Sequence, residues 1–254
     1  MAGRVPRTGD FRKARFLTLT LTAEEQEILW LSLRVAFWSV FVSLPFAVAV
    51  AYVLARSSFP GKTLFDAAVH LPLVLPPVVV GYFLLLLFGR RGPLGGILEQ
   101  WFGIVVAFRW TGAALAAGIM GFPLMVRAIR LSFETIDRKL EAAASTLGAG
   151  RGGVFLTVTL PLALPGIITG VLLSFARSLG EFGATITFVS NIPGETRTLP
   201  LAIYTYTQTP AGDEAALRLS IVAVLLSLAA LYASEVLVRR AARRVTGEDA
   251  VGRR

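Results

Sequence analysis

The sequence DRKLEAAASTLGAGRGGVFLTVTLPLALP, residues 137–165, is a short polar segment that leads back into apolar sequence. Asp137 is a residue type that caps helix starts, and residues 138–147 are good helix formers. Gly148 or Gly150 can supply the left-handed residue that ends a helix. We therefore predict a short helix here, one that does not reach across a bilayer.

This short helix is expected at the cytoplasmic surface of a membrane. It lies between long apolar segments, and basic residues next to spans favour the cytoplasmic side. The basic residues concerned are Arg138, Lys139 and Arg151. Small side chains on the same helix would let a partner backbone come close, and they belong to Ala142, Ala143 and Ala144.

The composition indicates an integral membrane protein. The chain has 254 residues, of which 55% are hydrophobic, in long uncharged runs. It has no cysteine and one histidine, His70, so disulfides, thiolate sites and multi-histidine metal centres are all excluded and no metal site is predicted. The net charge of +9 comes from residues that flank apolar segments, which favours membrane contact over nucleic acid.

Five membrane spans are predicted, within one all-α membrane domain at 28–238 that includes the polar helix region 137–151. A non-spanning tail at 1–27 precedes this domain, and a basic cytoplasmic tail at 239–254 follows it. The spans are placed at 28–54, 67–88, 111–126, 155–176 and 217–238.

Two segments of the predicted domain are unusual. The second span, at 67–88, contains Pro72, Pro76 and Pro77. They predict either a packed helix that faces the pathway or a kinked packing helix without a transport role. Residues 182–192 are broken by glycine and proline, and they fit either a re-entrant segment or an ordinary extracytoplasmic loop.

Five spans with the 127–154 loop inside place the N-terminus outside and the C-terminus inside. The C-terminal arginines then obey the positive-inside rule, whereas the basic N-terminal tail and the pair Arg90 and Arg91 do not. We base the orientation on the 127–154 loop and the C-terminal arginines rather than on the N-terminal tail, because acidic residues partly offset the positive charge of that tail.

No enzymatic chemistry is apparent in the sequence. A phosphate-binding G-x-x-x-x-G-K-[ST] loop is absent, as are a G-x-S-x-G elbow and paired carboxylates within a span. A secondary transporter would show ionisable residues in mid-membrane and two related halves, and neither is evident. A membrane channel driven by a separate ATPase needs none of these features.

The polar helix resembles the coupling motif of ABC-importer permeases. In that motif two alanines precede a glycine by a fixed spacing, and a Leu-Pro pair follows. Ala143, Ala144 and Gly148 match this spacing, as do Leu160 and Pro161. The glutamate position of the motif holds Ala142, whereas Glu141 stands one residue earlier and is turned by about 100° around the helix. The role of Glu141 stays open.

Across 29–238 the sequence is similar to the molybdate importer permease family, through runs such as HLPLVLPPVVVGY at 70–82, FPLMVRAIRL at 122–131 and ARSLGEFGATITFVSNIPGETRTLP at 176–200. The resemblance implies a five-span type I importer permease in the inner membrane of a bacterium. It also implies a second permease copy as homodimer partner, two cytoplasmic ATPases that use the ATP, and an extracytoplasmic oxyanion-binding protein. No cofactor would be bound by this chain. Permeases for sulfate or tungstate remain alternatives, as does a membrane scaffold without a transport role.

A permease for a tetrahedral dianion needs hydroxyls and a few positive charges rather than a tight site. Candidate pathway or gate residues lie near the outer end of the fourth predicted span: Arg177, Ser178, Glu181, Thr185, Thr187 and Ser190. Arg177 and Glu181 stand four residues apart, so they fit a local ion pair as well as a gate.

Overall fold

The computed structural model describes residues 21–246, and every regular element in that range is helical. The helices are α1 Ala23–Arg56, α2 Lys62–Val74, α3 Pro77–Phe88, α4 Pro93–Phe102, α5 Trp110–Thr135, α6 Arg138–Thr146, α7 Arg151–Val154, α8 Leu160–Leu179, α9 Gly183–Val189, α10 Leu199–Thr207 and α11 Asp213–Thr246. A π-helical turn, Phe155–Thr159, joins α7 to α8.

Four helical stretches are long and apolar enough to cross a membrane: α1, α5, Arg151–Leu179 and α11. They contain the predicted spans 28–54, 111–126, 155–176 and 217–238, so these spans are confirmed, and the helices extend beyond them. The last one ends at Thr246, so the basic segment after residue 238 begins as helix.

Helix α1 begins at Ala23, so the last five residues of the predicted non-spanning tail at 1–27 are helical. Thr22 and Glu25 form a capping box in which each side chain bonds the backbone N–H of the other residue, at 3.2 and 2.8 Å. The acidic residues before the apolar run therefore start the helix rather than precede it. The rest of the predicted tail lies outside the described residues.

The second predicted span is two helices rather than one kinked helix. The axes of α2 and α3 differ by 111° across the break at residues 75 and 76. Leu75 precedes a proline and takes an extended backbone with ψ 143°, and Pro76 has no N–H to continue the helix. Pro77 then lies in the first turn of α3, where proline is tolerated. Successive prolines therefore break the helix completely.

Ion pairs show how the helices run. At one end, which we call the α6 end, Arg56 of α1 contacts Glu141 of α6. At the other end, the α1-start end, Arg218 near the start of α11 contacts Glu25. Helix α5 runs parallel to α1, because Arg34 lies over Trp110 with 3.8 Å between guanidinium carbon and ring centroid.

The parallel course of α1 and α5 settles the role of the broken pair. Since α1 ends at the α6 end and α5 begins at the α1-start end, residues 57–109 must carry the chain back through the bundle. Helix α2 lies beside the later part of α5 through the Asp66–Arg130 ion pair, and α3 packs near its start through Val80 and Ala113. The broken pair therefore acts as the remaining span, and the five-span fold is confirmed.

Small residues allow the central helices α1, α5 and α8 to pack closely. A Cβ atom at Gly118 of α5 would lie 2.9 Å from Ser43 Oγ of α1, and one at Gly170 of α8 would lie 3.0 Å from the backbone oxygen of Met125. Close approach through small residues is the usual way in which membrane helices pack. The small-residue face of α5 thus places this helix at the centre of the bundle.

Candidate coupling and pathway sites

Helix α6 has the predicted start and end. Asp137 Oδ1 accepts a hydrogen bond of 2.9 Å from the backbone N–H of Lys139, which caps the helix. Gly148 follows the helix with φ +89°, a left-handed conformation that favours glycine. Gly150 has φ −67° and does not end the helix. Of the two candidate glycines, Gly148 is the terminator.

The carboxylate of Glu141 joins α6 to two other parts of the bundle. Its Oε1 atom lies 3.0 Å from Arg56 Nη2 at the end of α1, and it accepts a hydrogen bond of 2.8 Å from Thr159 Oγ1 in the π-helical turn. Thr159 is buried, and the side chain of Glu141 is 20% exposed. Glu141 therefore faces the bundle and ties α6 to it, which answers the question that the sequence left open.

The outer side of α6 is exposed and carries small and apolar side chains among polar ones. Ala142 and Ala143 are exposed, and Ala144 is half-buried. Leu147, at the helix end, is 88% exposed. A leucine this exposed, beside two small alanines and away from the bundle, makes a surface on which another protein can pack.

Leu160 and Pro161 begin α8 directly after the π-helical turn. The backbone N–H of Leu160 bonds the carbonyl of Phe155, five residues back, which is the wider π spacing. Pro161 has no N–H and would clash in a regular helix interior, so the wider turn accommodates it. Leu160 packs against the buried cluster that includes Val126 and Ile129, whereas Pro161 is exposed.

Arg177 and Glu181 form the predicted ion pair, with 2.6 Å between Arg177 Nη1 and Glu181 Oε2. Glu181 is 3% exposed, and its Oε1 atom accepts a hydrogen bond of 2.9 Å from the backbone N–H of Ala184. The carboxylate thus also satisfies the start of α9. The pair is more than a surface contact, because it links the end of α8 to the next helix.

The hydroxyl residues near this pair lie in different surroundings. Ser178 is buried between helices, where it accepts a hydrogen bond of 2.9 Å from Ser39 Oγ and donates to the carbonyl of Ala117. Thr185 is buried, and Thr187 donates to the Gly183 carbonyl of its own helix. Ser190 is exposed with φ +64°. The structure brings Arg177 and Glu181 together but does not gather the hydroxyls around them.

Residues 183–189, in the predicted re-entrant or loop segment, are the helix α9. This helix packs against α3 and α5, and a Cβ atom at Gly81 would lie 2.9 Å from Ala184 Cα. Phe188 and Val189 are fully buried. An ordinary exposed loop is therefore excluded for these residues, and their burial is what irregular or short helical segments need at membrane depth.

Sequence reasoning missed the polar network between α2 and α5. Arg130 lies 2.9 Å from Asp66 and 2.7 Å from Glu134, and His70 Nδ1 lies 3.2 Å from Asp66. The spacing of four residues within each helix could have indicated the two local pairs. The contact between the helices could not be predicted, because it depends on the break at Pro76.

Comparisons with known proteins agree with this architecture. Residues 43–246 match the sequence model of a family described as binding-protein-dependent transport system inner membrane component. Over 221 residues the chain is 61% identical to the molybdenum transport system permease protein ModB of Escherichia coli (strain K12), covering 87% of this chain and 96% of that protein. It is 41% identical to the sulfate transport system permease protein CysW of Synechococcus elongatus, with coverages of 76% and 68%.

Solved structures with a similar fold are also transporters. A bacterial ABC transporter involved in the import of the acidic polysaccharide alginate matches with a TM-score of 0.70 at 16% identity, covering 91% of this chain and 86% of that one. The MetNI methionine ABC transporter matches with a TM-score of 0.65 at 16% identity, with coverages of 87% and 99%. At such low identity these likenesses show the fold alone.

Proposed function

Because this chain belongs to the family of binding-protein-dependent transport system inner membrane components, and within it to the molybdenum transport permeases, we propose that it is the membrane-spanning permease of an ATP-driven molybdate importer. The observation that carries the substrate is the 61% identity across 96% of ModB, against 41% identity to a sulfate permease. The membrane is proposed to be the inner membrane of a bacterium.

The working complex is proposed to contain two copies of this chain, two cytoplasmic ATPases and an extracytoplasmic oxyanion-binding protein. A single chain of five spans is small for a pathway, and two-fold assembly is the commonest closed symmetry. The alginate transporter of similar fold has been solved in complex with its ligand-bound periplasmic protein. Since the chain has no phosphate-binding loop, ATP is assigned to the partner ATPases, and the chain itself needs no cofactor.

Helix α6 is proposed to be the coupling helix, docked on the ATPase through its exposed side. Ala142, Ala143 and Leu147 would form the contact, and Gly148 would set the angle at which the chain leaves it. The α6 end is then cytoplasmic, and the basic C-terminal part of α11 runs to the same end, as the positive-inside rule requires.

Transmission from α6 to the bundle is proposed to use two contacts. The first contact joins Glu141 to Arg56 of α1, and the second joins Glu141 to Thr159 of the π-helical turn. Ala144 is the half-buried alanine of the motif. Leu160 and Pro161 follow the π-helical turn, and π turns often mark places where a helix adjusts its geometry. A movement of α6 would therefore reach α1 and α8 together.

The Arg177–Glu181 pair is proposed to be part of the outer gate. It lies at the end of α8 far from α6, and it holds the start of α9. Ser178 and Thr185 would support the gate from the buried side, whereas Thr187 and Ser190 would lie nearer its opening. A purely structural ion pair is the alternative, and an unchanged uptake rate in Glu181→Gln would favour it.

The test is uptake of radiolabelled molybdate by proteoliposomes that contain this chain, its ATPase and its binding protein. We expect uptake that requires ATP and that excess tungstate reduces more strongly than excess sulfate. Preferential uptake of sulfate would assign the chain to the sulfate permeases instead. If no ATPase co-purifies with the chain, the membrane scaffold becomes the better hypothesis.

A further inference from the structure

Arginines of the long helices differ in how their positive charge is neutralised. Six arginines with described side chains lie in the helices α1, α5, α8 and α11. They are Arg34, Arg56, Arg127, Arg130, Arg177 and Arg218. A cation within a membrane span is costly unless it is paired or faces water, so each of them needs a partner or an aqueous surface.

Five of the six have a partner. Arg34 lies over the ring of Trp110, and the other four contact carboxylates at 2.6 to 3.0 Å: Arg56 with Glu141, Arg130 with Asp66 and Glu134, Arg177 with Glu181, and Arg218 with Glu25. Arg127 makes no ion pair, hydrogen bond or ring contact with any residue in 21–246 whose side chain is described.

Arg127 borders two cavities at the surface of α5. One, of about 390 Å³, lies between α2 and α5 and includes His70 and Glu134. The other, of about 490 Å³, lies between α5 and α8 and includes Ser132 and Thr169. Arg127 is exposed and lines both cavities.

The neighbouring carboxylates are already engaged. Asp66 and Glu134 both bind Arg130, one helical turn from Arg127, at 2.9 and 2.7 Å. Thr169 donates its hydroxyl hydrogen to the Pro165 carbonyl, so it has none left for an anion. Arg127 therefore offers N–H donors that no described side chain takes up, in the planar fork that matches an oxyanion.

We propose that Arg127 binds the transported oxyanion in the half of the pathway nearest α6. This inference rests on the proposed function. About 12 Å of helix separates Arg127 from Thr135 at the end of α5, so the site would lie about two turns in from that end, on the exposed surface of the helix. In a two-fold assembly each copy supplies one Arg127, and two positive charges would face one dianion.

The same guanidinium chemistry would also bind the phosphate of a lipid headgroup. The two sources can be separated because the chain has no cysteine, so that Arg127→Cys introduces a single thiol. The experiment uses the complete complex, with cysteine-free ATPase and binding protein, in vesicles of pure phosphatidylcholine and in vesicles with added phosphatidylglycerol. Uptake of molybdate is measured for Arg127→Gln, Arg127→Lys and Arg127→Cys.

We expect Arg127→Gln to lower uptake by about ten-fold or more in both vesicles, the size expected for one lost charge-assisted hydrogen bond. Arg127→Lys should retain more uptake than Arg127→Gln. Modification of Arg127→Cys with aminoethyl methanethiosulfonate should restore uptake, whereas the sulfonatoethyl reagent should not. Tungstate or molybdate should slow the modification.

Arg91→Gln is the matched control. Arg91 is exposed at the α1-start end, so this variant should transport molybdate at the normal rate. A normal rate in Arg127→Gln would overturn the proposal, as would a defect seen only with phosphatidylglycerol, which would assign Arg127 to a lipid. Failure of the complex with the native sequence to transport molybdate would instead contradict the proposed function.

Discussion

Arg56, the last residue of α1, and Glu141, in the middle of α6, lie 3.0 Å apart across 85 residues of sequence. Arg56 also reaches the Ile136 carbonyl just before α6, and Thr159 holds the same carboxylate oxygen from the other side. The side chains of Arg56 and Glu141 together therefore connect α6 to the ends of α1 and α5 and to the π-helical turn before α8. A helix held in this way cannot shift without moving the bundle.

The first prediction concerns this contact. Glu141→Ala removes a part-buried carboxylate with two donors, and each lost charge-assisted hydrogen bond costs about 1.5–3 kcal/mol. We expect ATP hydrolysis to continue while molybdate uptake falls, so that more ATP is used per ion transported. The measurement is the ratio of the two rates in proteoliposomes. Glu99→Ala is the control, since Glu99 lies in an exposed pair at 3.9 Å and its loss should leave the ratio unchanged.

A second prediction compares two glycines with equal space around them. A Cβ atom at Gly148 or Gly152 would meet no atom within 4 Å, but only Gly148 of the two has a positive φ. Valine at Gly148 costs about 1 kcal/mol or more in that conformation and should tilt α6. We expect Gly148→Val to abolish uptake at normal expression and Gly152→Val to retain most of it. Equal uptake by both variants would contradict the coupling assignment.

Stability should depend on the buried pair at the α1-start end. Glu25 is 1% exposed and accepts two hydrogen bonds from Arg218, at 2.9 and 3.1 Å. Glu25→Gln leaves the arginine without its counter-charge. Breaking a fully buried pair costs about 3–5 kcal/mol, and the cost here is smaller because the Arg218 side chain is 21% exposed. The apparent unfolding midpoint in detergent should fall clearly. Glu24→Gln should change it little, because Glu24 is 56% exposed and its pair with Arg197 is worth about 0–1 kcal/mol.

The orientation of the five spans can be checked with single cysteines. Ser57 follows α1 at the α6 end, and Thr209 follows α10 near the start of α11; both are exposed. On intact spheroplasts an impermeant thiol reagent should label Thr209→Cys and leave Ser57→Cys unlabelled until the cells are opened. The reverse pattern would place α6 outside and contradict the assigned orientation.

Local sequence determined the four long helices and the position of α6. Composition and apolar length predicted the four long spans, and the Asp137 and Gly148 positions predicted α6, because caps and spans depend on residues that are close in sequence. The start of α1 was missed because Glu24, Glu25 and Glu27 suggest a polar tail, whereas Glu25 bonds the backbone and a distant arginine.

Tertiary structure alone decided what the charged side chains do. The packing of α2, α5 and α8 after the 111° break near Pro76 decides which partners Glu141 and Arg130 have. The same packing leaves Arg127 without a partner among the described side chains. A proline run indicates that a helix is interrupted, but its angle depends on what the two halves pack against. Contacts between residues far apart in sequence carry no local signal, so only the folded bundle brings Arg56 to Glu141.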